Sequence, residues 1–389
     1  MEDEVYFALL AIALREAGCH GPRLVIDLDR LDANTDAIAK GAVAGVGLRI
    51  VDKSLPSIDL MRRIMSRVGT KKVMSFHLPV TLAMLDAIPD IEVLYGKPLP
   101  VAALAKAITE LEPESRERLV RQTVFLMDTQ ARLHEFAALA ESHAMSLRIA
   151  FEVDVGMHRG GISDPVEVAA LCAVAAAHPH IVVEGLMAYE AHIPEMPAMF
   201  GGADREQAQV IARVAALAAV LPENARKIIN TGGSKTVLAY PQVGAANELS
   251  VGSAFVKPTD FDKPSLGKLQ PAAFIATPIL KVADALLPGP QWITGLMQVL
   301  RLFGRKGCFI YGGNWLAKPV HPPGMAESKL WGRSSNQQFM SLPDDSRAKV
   351  DDMAFFRPTQ SEAVLQHFGP LLIYSQGRIV GEWAPLPPG

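Results

Sequence analysis

Cysteine is scarce. The 389-residue chain carries three, Cys19, Cys172 and Cys308, odd in number and far apart. That distribution suggests neither a disulfide framework nor a zinc cluster, and it makes a reducing cytoplasm the expectation. An excess of one charge is lacking too. A net charge of −3 with interspersed signs provides no basic stripe for nucleic acid and no cluster for anionic lipid, so neither partner is expected. No apolar run is long enough to span a membrane. The apolar stretch from Val5 to Leu14 follows Glu2, Asp3 and Glu4, the reverse of a signal peptide's positive start. It reads as a short packing helix within an N-terminal segment, 1–20.

What is present is the texture of a folded α/β protein. Hydrophobic residues make up 49% and charged residues 20%, and the 30 Gly and 28 Pro are spread along the chain, so no linker or low-complexity segment stands out. A chain of this length buries a large core and suggests two domains. Short β-rich runs alternate with helical patterns. Leu24 to Leu28 comes first, followed by Leu48 to Val51, Lys72 to Phe76, Ile91 to Tyr95, Thr123 to Met127, Leu147 to Val155, Val182 to Ala188, Ile228 to Thr231 and Glu248 to Val251. Helix-compatible segments lie between them, among them Pro56 to Val68, Pro100 to Leu111, Gln130 to His143, Pro165 to Ala177 and Asp204 to Leu221. Several open with Pro at a first helical position. Such alternation calls for a parallel sheet with short crossovers, and eight units close a (β/α)8 TIM-like barrel over 21–265, the leading strand being one too many.

From about Pro271 the pattern changes. Phe274 to Val282, Trp292 to Thr294 and Cys308 to Tyr311 read as strands without long helical partners, and Leu371 to Trp383, turning at Ser375-Gln376-Gly377, reads as a closing hairpin. A C-terminal β-rich domain over 266–389 follows, with Pro319 to Asp345 expected as a long loop region.

The residues able to carry chemistry cluster at strand ends. Lys53 closes the apolar run Leu48 to Asp52, where a barrel presents side chains at its mouth, and a lysine there forms a Schiff base when its surroundings lower its pKa. Thr231-Gly232-Gly233-Ser234 after the seventh barrel strand and Gly252-Ser253 after the eighth offer backbone amides for a phosphate. Tyr189 and His192 end the sixth strand, and a histidine there suits proton transfer near working pH. His77, ending the second strand, is similar.

Val153-Asp154-Val155-Gly156-Met157-His158-Arg159-Gly160-Gly161 is the most specific motif. Together with Lys53 it resembles the Asp-Thr-Gly-Met-(His/Asn)-Arg-x-Gly pattern of fold-type III pyridoxal-phosphate (PLP) enzymes, the superfamily of alanine racemase, D-threonine aldolase and D-serine dehydratase. The resemblance implies PLP on Lys53. It also implies an Arg159 guanidinium directed at the cofactor's phenolic oxygen and the substrate carboxylate, and a phosphate held by Thr231, Gly232, Gly233, Ser234, Gly252 and Ser253. Tyr189 and His192 resemble the Tyr-x-Gly-His segment of the aldolases and dehydratases. Two departures stand out. The His-x-Cys metal pair of those enzymes falls here on Gln360 and Glu362, oxygen donors suited to a hard ion such as Mg²⁺ or Ca²⁺ instead of zinc. The arginine that faces the pyridine nitrogen in alanine racemases is replaced by Ser250.

The resemblance implies a lyase acting on a small β-hydroxy D-amino acid, by retro-aldol cleavage or β-elimination, and a homodimer. Two alternatives stay open. One is an amino-acid racemase, with Tyr311 as a candidate second base. The other is a non-catalytic PLP carrier, although those proteins are single barrels without a β-domain.

Overall fold

Alternating β and α patterns dictate the architecture. The computed structural model describes residues 2–300, 302–362 and 364–387. It divides into two compact units, one of Met1–Ala33, Val256–Asp262 and Gln270–Pro385, the other of Asn34–Phe255, Lys263–Leu269 and Leu386–Gly389.

In chain order the elements begin with α1 (Glu2–Glu16), β1 (Arg23–Asp27) and α2 (Leu28–Gly41). The barrel follows: β2 (Gly47–Val51), α3 (Ile58–Val68), β3 (Lys72–Ser75), α4 (Leu78–Ala87), β4 (Glu92–Tyr95), α5 (Val101–Glu110), α6 (Pro113–Gln122), β5 (Thr123–Met127), α7 (Gln130–Ser142), β6 (Leu147–Val153), α8 (Pro165–Ala176), β7 (Ile181–Ala188), α9 (Gly202–Ala219), β8 (Ile228–Thr231) and β9 (Glu248–Val251). Strands β2 to β9 close a ring of parallel neighbours in sequence order, with β9 returning to β2 through Leu48 opposite Leu249. Both faces of such strands are covered, so they read as continuous apolar runs; Val93, Leu94, Val124, Phe125, Leu126, Ile149 and Phe151 are all fully buried. The expected barrel is thus observed.

One end of the ring is fastened by charge. Arg49, fully buried, pairs with Glu248 Oε2 at 2.8 Å and Glu92 Oε1 at 2.7 Å and donates to the Val73 and Glu92 carbonyls at 3.0 Å. Lys72 supplies a second cation to Glu248 at 2.5 Å. One guanidinium so ties β2 to β9, β3 and β4, with its donors satisfied as a buried charge requires.

Among the described residues the other unit is built on a nine-stranded sheet. Its strands are β1 with β10 (Ala273–Asp284), β11 (Lys306–Tyr311), β12 (Ala317–His321), β13 (Ala326–Glu327), β14 (Gln337–Leu342), β15 (Met353–Pro358), β16 (Leu371–Ser375) and β17 (Arg378–Trp383). β1 lies antiparallel to β10 and parallel to β16, which gives the surplus leading strand its place. The residues of α1 that face this sheet, Phe7, Leu10, Ala11 and Leu14, bury against Val25, Phe274, Phe355 and Leu372. The closing hairpin turns at Gln376 and Gly377, at φ 50 and 82, as two-residue hairpins require.

Two expectations are corrected. Trp292, Ile293 and Thr294 lie in helix α10 (Gln291–Val299), not a strand. The aromatic and β-branched cluster imitates a strand, but Pro290 caps the helix, and Thr294 and Gln298 fix it by bonds to Leu287 N and to the Ala285 and Gly304 carbonyls. The expected loop from Pro319 to Asp345 contains most of β12 and all of β13 and β14. Pro319 is tolerated because among the described residues β12 pairs only with β15, leaving an edge, and its register breaks between Pro319 and His321.

Candidate active site

The carboxyl ends of the barrel strands gather the site, as loops there are free to vary on a rigid ring. β2 ends at Val51 and the chain enters a 3-10 turn over Asp52–Ser54. That tight turn buries Asp52 and Ser54 and leaves Lys53 exposed. The Lys53 ammonium lies 4.5 Å above the Phe76 ring centre, at the end of the neighbouring strand.

Beneath Lys53 runs a buried polar line. Ser75 lies close enough to the Asp52 carboxyl to lower its pKa, the Thr81 hydroxyl lies 2.8 Å from Ser75 Oγ and 3.0 Å from the Tyr95 hydroxyl, and Asp52 Oδ2 has no partner among the described residues. Burial pushes the Asp52 pKa up to about 7, against the hydrogen bonds from Ser75 and the Lys53 backbone and the attraction of the Lys53 charge. Asp52 is a functional candidate that the sequence reading missed. Its only signal there was a carboxylate ending an apolar run.

After β6, Asp154 folds the motif loop onto itself. Its carboxylate accepts from Gly156 N (2.9 Å), His158 N (3.0 Å) and His158 Nδ1 (2.8 Å). Burial acts against the charge, but these bonds outweigh it and lower the pKa. Arg159 is held looser, half-exposed, 4.0 Å from Glu152 and with its guanidinium 4.9 Å from the centre of the Tyr189 ring. Burial raises the Glu152 pKa, Arg159 opposes that, and Asp128 and Asp154 add to it.

The two glycine loops are joined to one another. Gly252 N donates to Ser234 Oγ at 2.9 Å and Ser253 Oγ to Ser54 Oγ at 3.1 Å. A Cβ on Gly252 would meet Ser54 Cβ at 2.7 Å and Val51 Cβ at 2.9 Å, so only glycine lets this loop approach the end of β2. Thr231 and Gly232 are already engaged. Thr231 Oγ and Gly232 N donate to Glu190 Oε2, and Thr236 Oγ donates to Glu190 Oε1. Burial raises the pKa of Glu190, against those same bonds. Glu190 is therefore a loop clamp, a role unseen in the sequence. The Ser234 and Lys235 amides, by contrast, have no acceptor among the described residues.

His192 is aimed by a carboxylate. Its Nε2 lies 3.2 Å from Glu206 Oε1, and Arg213, itself bonded to the Val155 carbonyl at 2.6 Å, pairs with the same oxygen at 3.0 Å. Burial would raise the Glu206 pKa, but His192 and Arg213 overcome it and hold the group ionised. His192 Nε2 thus faces Glu206, while Nδ1 is buried and without a partner among the described residues.

These contacts form one chain. Arg159 covers Tyr189, Tyr189 packs 3.2 Å from where a Gly233 Cβ would stand, Ser234 binds Gly252, and Gly252 touches Ser54 beside Lys53. The structure thus brings together Lys53, Arg159, Tyr189, Gly233, Ser234, Gly252 and Ser253, with His192 against Gly156. Ser250 is buried and donates to Asn230 Oδ1 at 2.9 Å. In the other unit, Gln360 Nε2 donates to Asp260 Oδ2 at 3.0 Å and Ser361 Oγ to Glu362 Oε2 at 3.3 Å. Among the described residues no three His, Cys, Asp or Glu side chains are grouped to hold a metal ion. Tyr311 is exposed at the end of β11, its carbonyl accepting from Thr277.

Comparison with known proteins agrees with this layout. The chain is 26% identical over 307 residues to 3-hydroxy-D-aspartate aldolase of Paracoccus denitrificans (strain Pd 1222), covering 72% of this chain and 76% of that one. In fold it is similar to D-threonine aldolase from Filomicrobium marinum, with a TM-score of 0.75 at 16% identity over 93% and 94% of the two chains. It is similar also to D-threo-3-hydroxyaspartate dehydratase from Delftia sp. HT23, with a TM-score of 0.73 at 17% identity over 94% and 97%. Residues 26–259 match the family described as "Alanine racemase, N-terminal domain", and the chain belongs to that family.

Proposed function

We propose that this chain is a PLP-dependent lyase acting on a small β-hydroxy D-amino acid, by retro-aldol cleavage or β-elimination. One observation carries the reading: Lys53 stands at the end of β2 in a contact chain that also holds Arg159, Tyr189 and both glycine-serine loops. The residues fit the cofactor. An exposed amine above an aromatic ring, two amides without acceptors at Ser234 and Lys235, and a loop that only Gly252 allows to close offer a tether and an anion cradle. Thr231 and Gly232, spent on Glu190, support that cradle from beneath.

When bound, PLP supplies an electron sink for the pair released at Cα. The chain's own residues choose the bond. Arg159 orients the substrate carboxylate from its place over Tyr189. In the cleavage route His192, its ring held by Glu206, takes the β-hydroxyl proton. In the elimination route the Lys53 amine would take the α-proton instead. The oxygen donors Gln360 and Glu362 suit a hard divalent ion.

Relatives named as aldolases and a dehydratase of β-hydroxy amino acids support the lyase reading, and the β-rich second unit argues against a single-barrel carrier. Among the described residues no helix is long and apolar enough to cross a membrane. We place the protein in the cytoplasm as a homodimer, supported by its three unpaired cysteines and by the resemblance. Incubation with D-threonine and D-serine tests the proposal: glycine with acetaldehyde, or pyruvate with ammonia, is expected, whereas formation of the L-isomer alone would make it a racemase.

A further inference from the structure

Three adjacent strands of the ring end alike. β2 stops at Val51, β3 at Ser75 and β4 at Tyr95, and two residues beyond each stands a basic side chain: Lys53, His77 and Lys97. Val51 is opposite Met74 and Ser75 opposite Tyr95, so carrying the parallel register past the strand ends sets Phe76 level with Gly96 after one residue, and Lys53 level with Phe76 and His77 level with Lys97 after two. The contacts agree. Lys53 Nζ lies over the Phe76 ring, and that ring crosses Gly96 so closely that a Cβ there would fall 2.3 Å from Phe76 Cζ. Phe76 is thus an apolar wall running from Lys53 toward β4, and His77 and Lys97 directly follow Phe76 and Gly96 in the chain, with His77 within reach of the charges of both Lys97 and Lys53.

Acids are missing from this arc. Apart from Asp52, which is buried, no carboxylate occurs in Asp52–Ser57, Phe76–Pro79 or Gly96–Pro100. The carboxylates near Arg159 are Asp128, Glu152 and Asp154, at the ends of β5 and β6. Lys97 makes no ion pair among the described residues, and the His77 ring makes no hydrogen bond there. Burial and then the charges of Lys97 and Lys53 lower the His77 pKa, and an approaching anion is met by the Lys97 ammonium and a ring N–H of His77.

We propose that His77 and Lys97 form a subsite for a second carboxylate on the substrate's Cβ, so that the preferred substrate is a dicarboxylic β-hydroxy D-amino acid of the 3-hydroxyaspartate type. Strand spacing sets the scale. His77 and Lys97 stand one and two strands from Lys53, roughly 5–10 Å, which suits a four-carbon diacid whose amine is at Lys53 and whose α-carboxylate faces Arg159. A methyl or hydrogen on Cβ would leave Lys97 without a counter-charge. This inference rests on the lyase reading above.

The test compares kcat/KM for D-threo-3-hydroxyaspartate with that for D-threonine in the loaded enzyme, for the wild type and for Lys97→Met, Lys97→Arg and His77→Gln. The wild type is expected to favour the diacid, Lys97→Met to lower the diacid-to-threonine ratio ten- to a hundredfold, His77→Gln to lower it less, and Lys97→Arg to keep most of it. Binding gives a second readout: the cofactor absorbance change on titration with D-aspartate against D-alanine should lose its preference for D-aspartate in Lys97→Met. A ratio unmoved by Lys97→Met, or a wild type that cleaves D-threonine and ignores the diacid, would overturn the subsite and leave the lyase reading standing. Turnover of neither substrate would overturn both.

Discussion

Asp52→Asn is expected to gain stability relative to the wild type as pH rises. Asp52 is 1% exposed and its Oδ2 has no partner among the described residues, so folding strips water from a carboxylate without full repayment. The unfolded carboxyl titrates at 3.8 and the folded one at about 7, so ionisation costs the native state about 4 kcal/mol at pH 8 and about 1.7 kcal/mol at pH 5. A raised folded pKa means stability is fully present below the unfolded value and is lost as pH rises through the folded one. The window is therefore pH 3.8 to about 7. Asparagine removes that loss but buries amide donors where Oδ2 has no partner, costing roughly 1–3 kcal/mol at any pH. The variant should then lie within about 1 kcal/mol of the wild type at pH 5 and about 1–3 kcal/mol above it at pH 8. Urea unfolding followed by far-ultraviolet circular dichroism measures this. Tryptophan fluorescence would not report on the barrel directly, because Trp292, Trp315, Trp331 and Trp383 all belong to the other unit. A difference independent of pH, or a variant that loses ground as pH rises, would refute the reasoning by showing Asp52 neutral throughout or stabilised as an ion.

Two further outcomes are open to measurement. Arg49→Met leaves Glu248 buried with Lys72 as its remaining cation and should cost about 3 kcal/mol in the same unfolding assay; adding Glu248→Leu should recover at least half, and no recovery would mean the loss came from packing and not from charge. Any activity lost to a chelator should return with Mg²⁺ or Mn²⁺ in preference to Zn²⁺, given the oxygen donors Gln360 and Glu362, and restoration by zinc alone would place the metal on other ligands.

The barrel was legible because each buried parallel strand is an apolar run bounded by a helix, and β5, β8 and β9 begin and end where the pattern predicts. The helices α2, α4 and α6 escaped that pattern: α2 carries Asp29, Arg30, Asp32 and Asp36 among few large apolar residues, and α4 is apolar on nearly every face. The motif of Asp154 to Arg159 was legible as a unit since its loop is closed by its own residues. What single positions could not show were partners distant in the chain. Glu190 clamps Thr231 and Thr236, Glu206 aims His192, and Asp52 sits on a line through Ser75, Thr81 and Tyr95. Each is a carboxylate that looks like surface charge until the fold buries or pairs it. The same holds for the cationic arc, where His77 and Lys97 become neighbours only through the register of β3 and β4.

Lys53 is expected to tether PLP. Borohydride reduction of the loaded protein followed by peptide mass mapping tests this most directly. The phosphopyridoxyl group is expected on Lys53 alone and to be absent from Lys53→Ala, whereas a label on another lysine, or no label in a protein soaked with PLP, would contradict it.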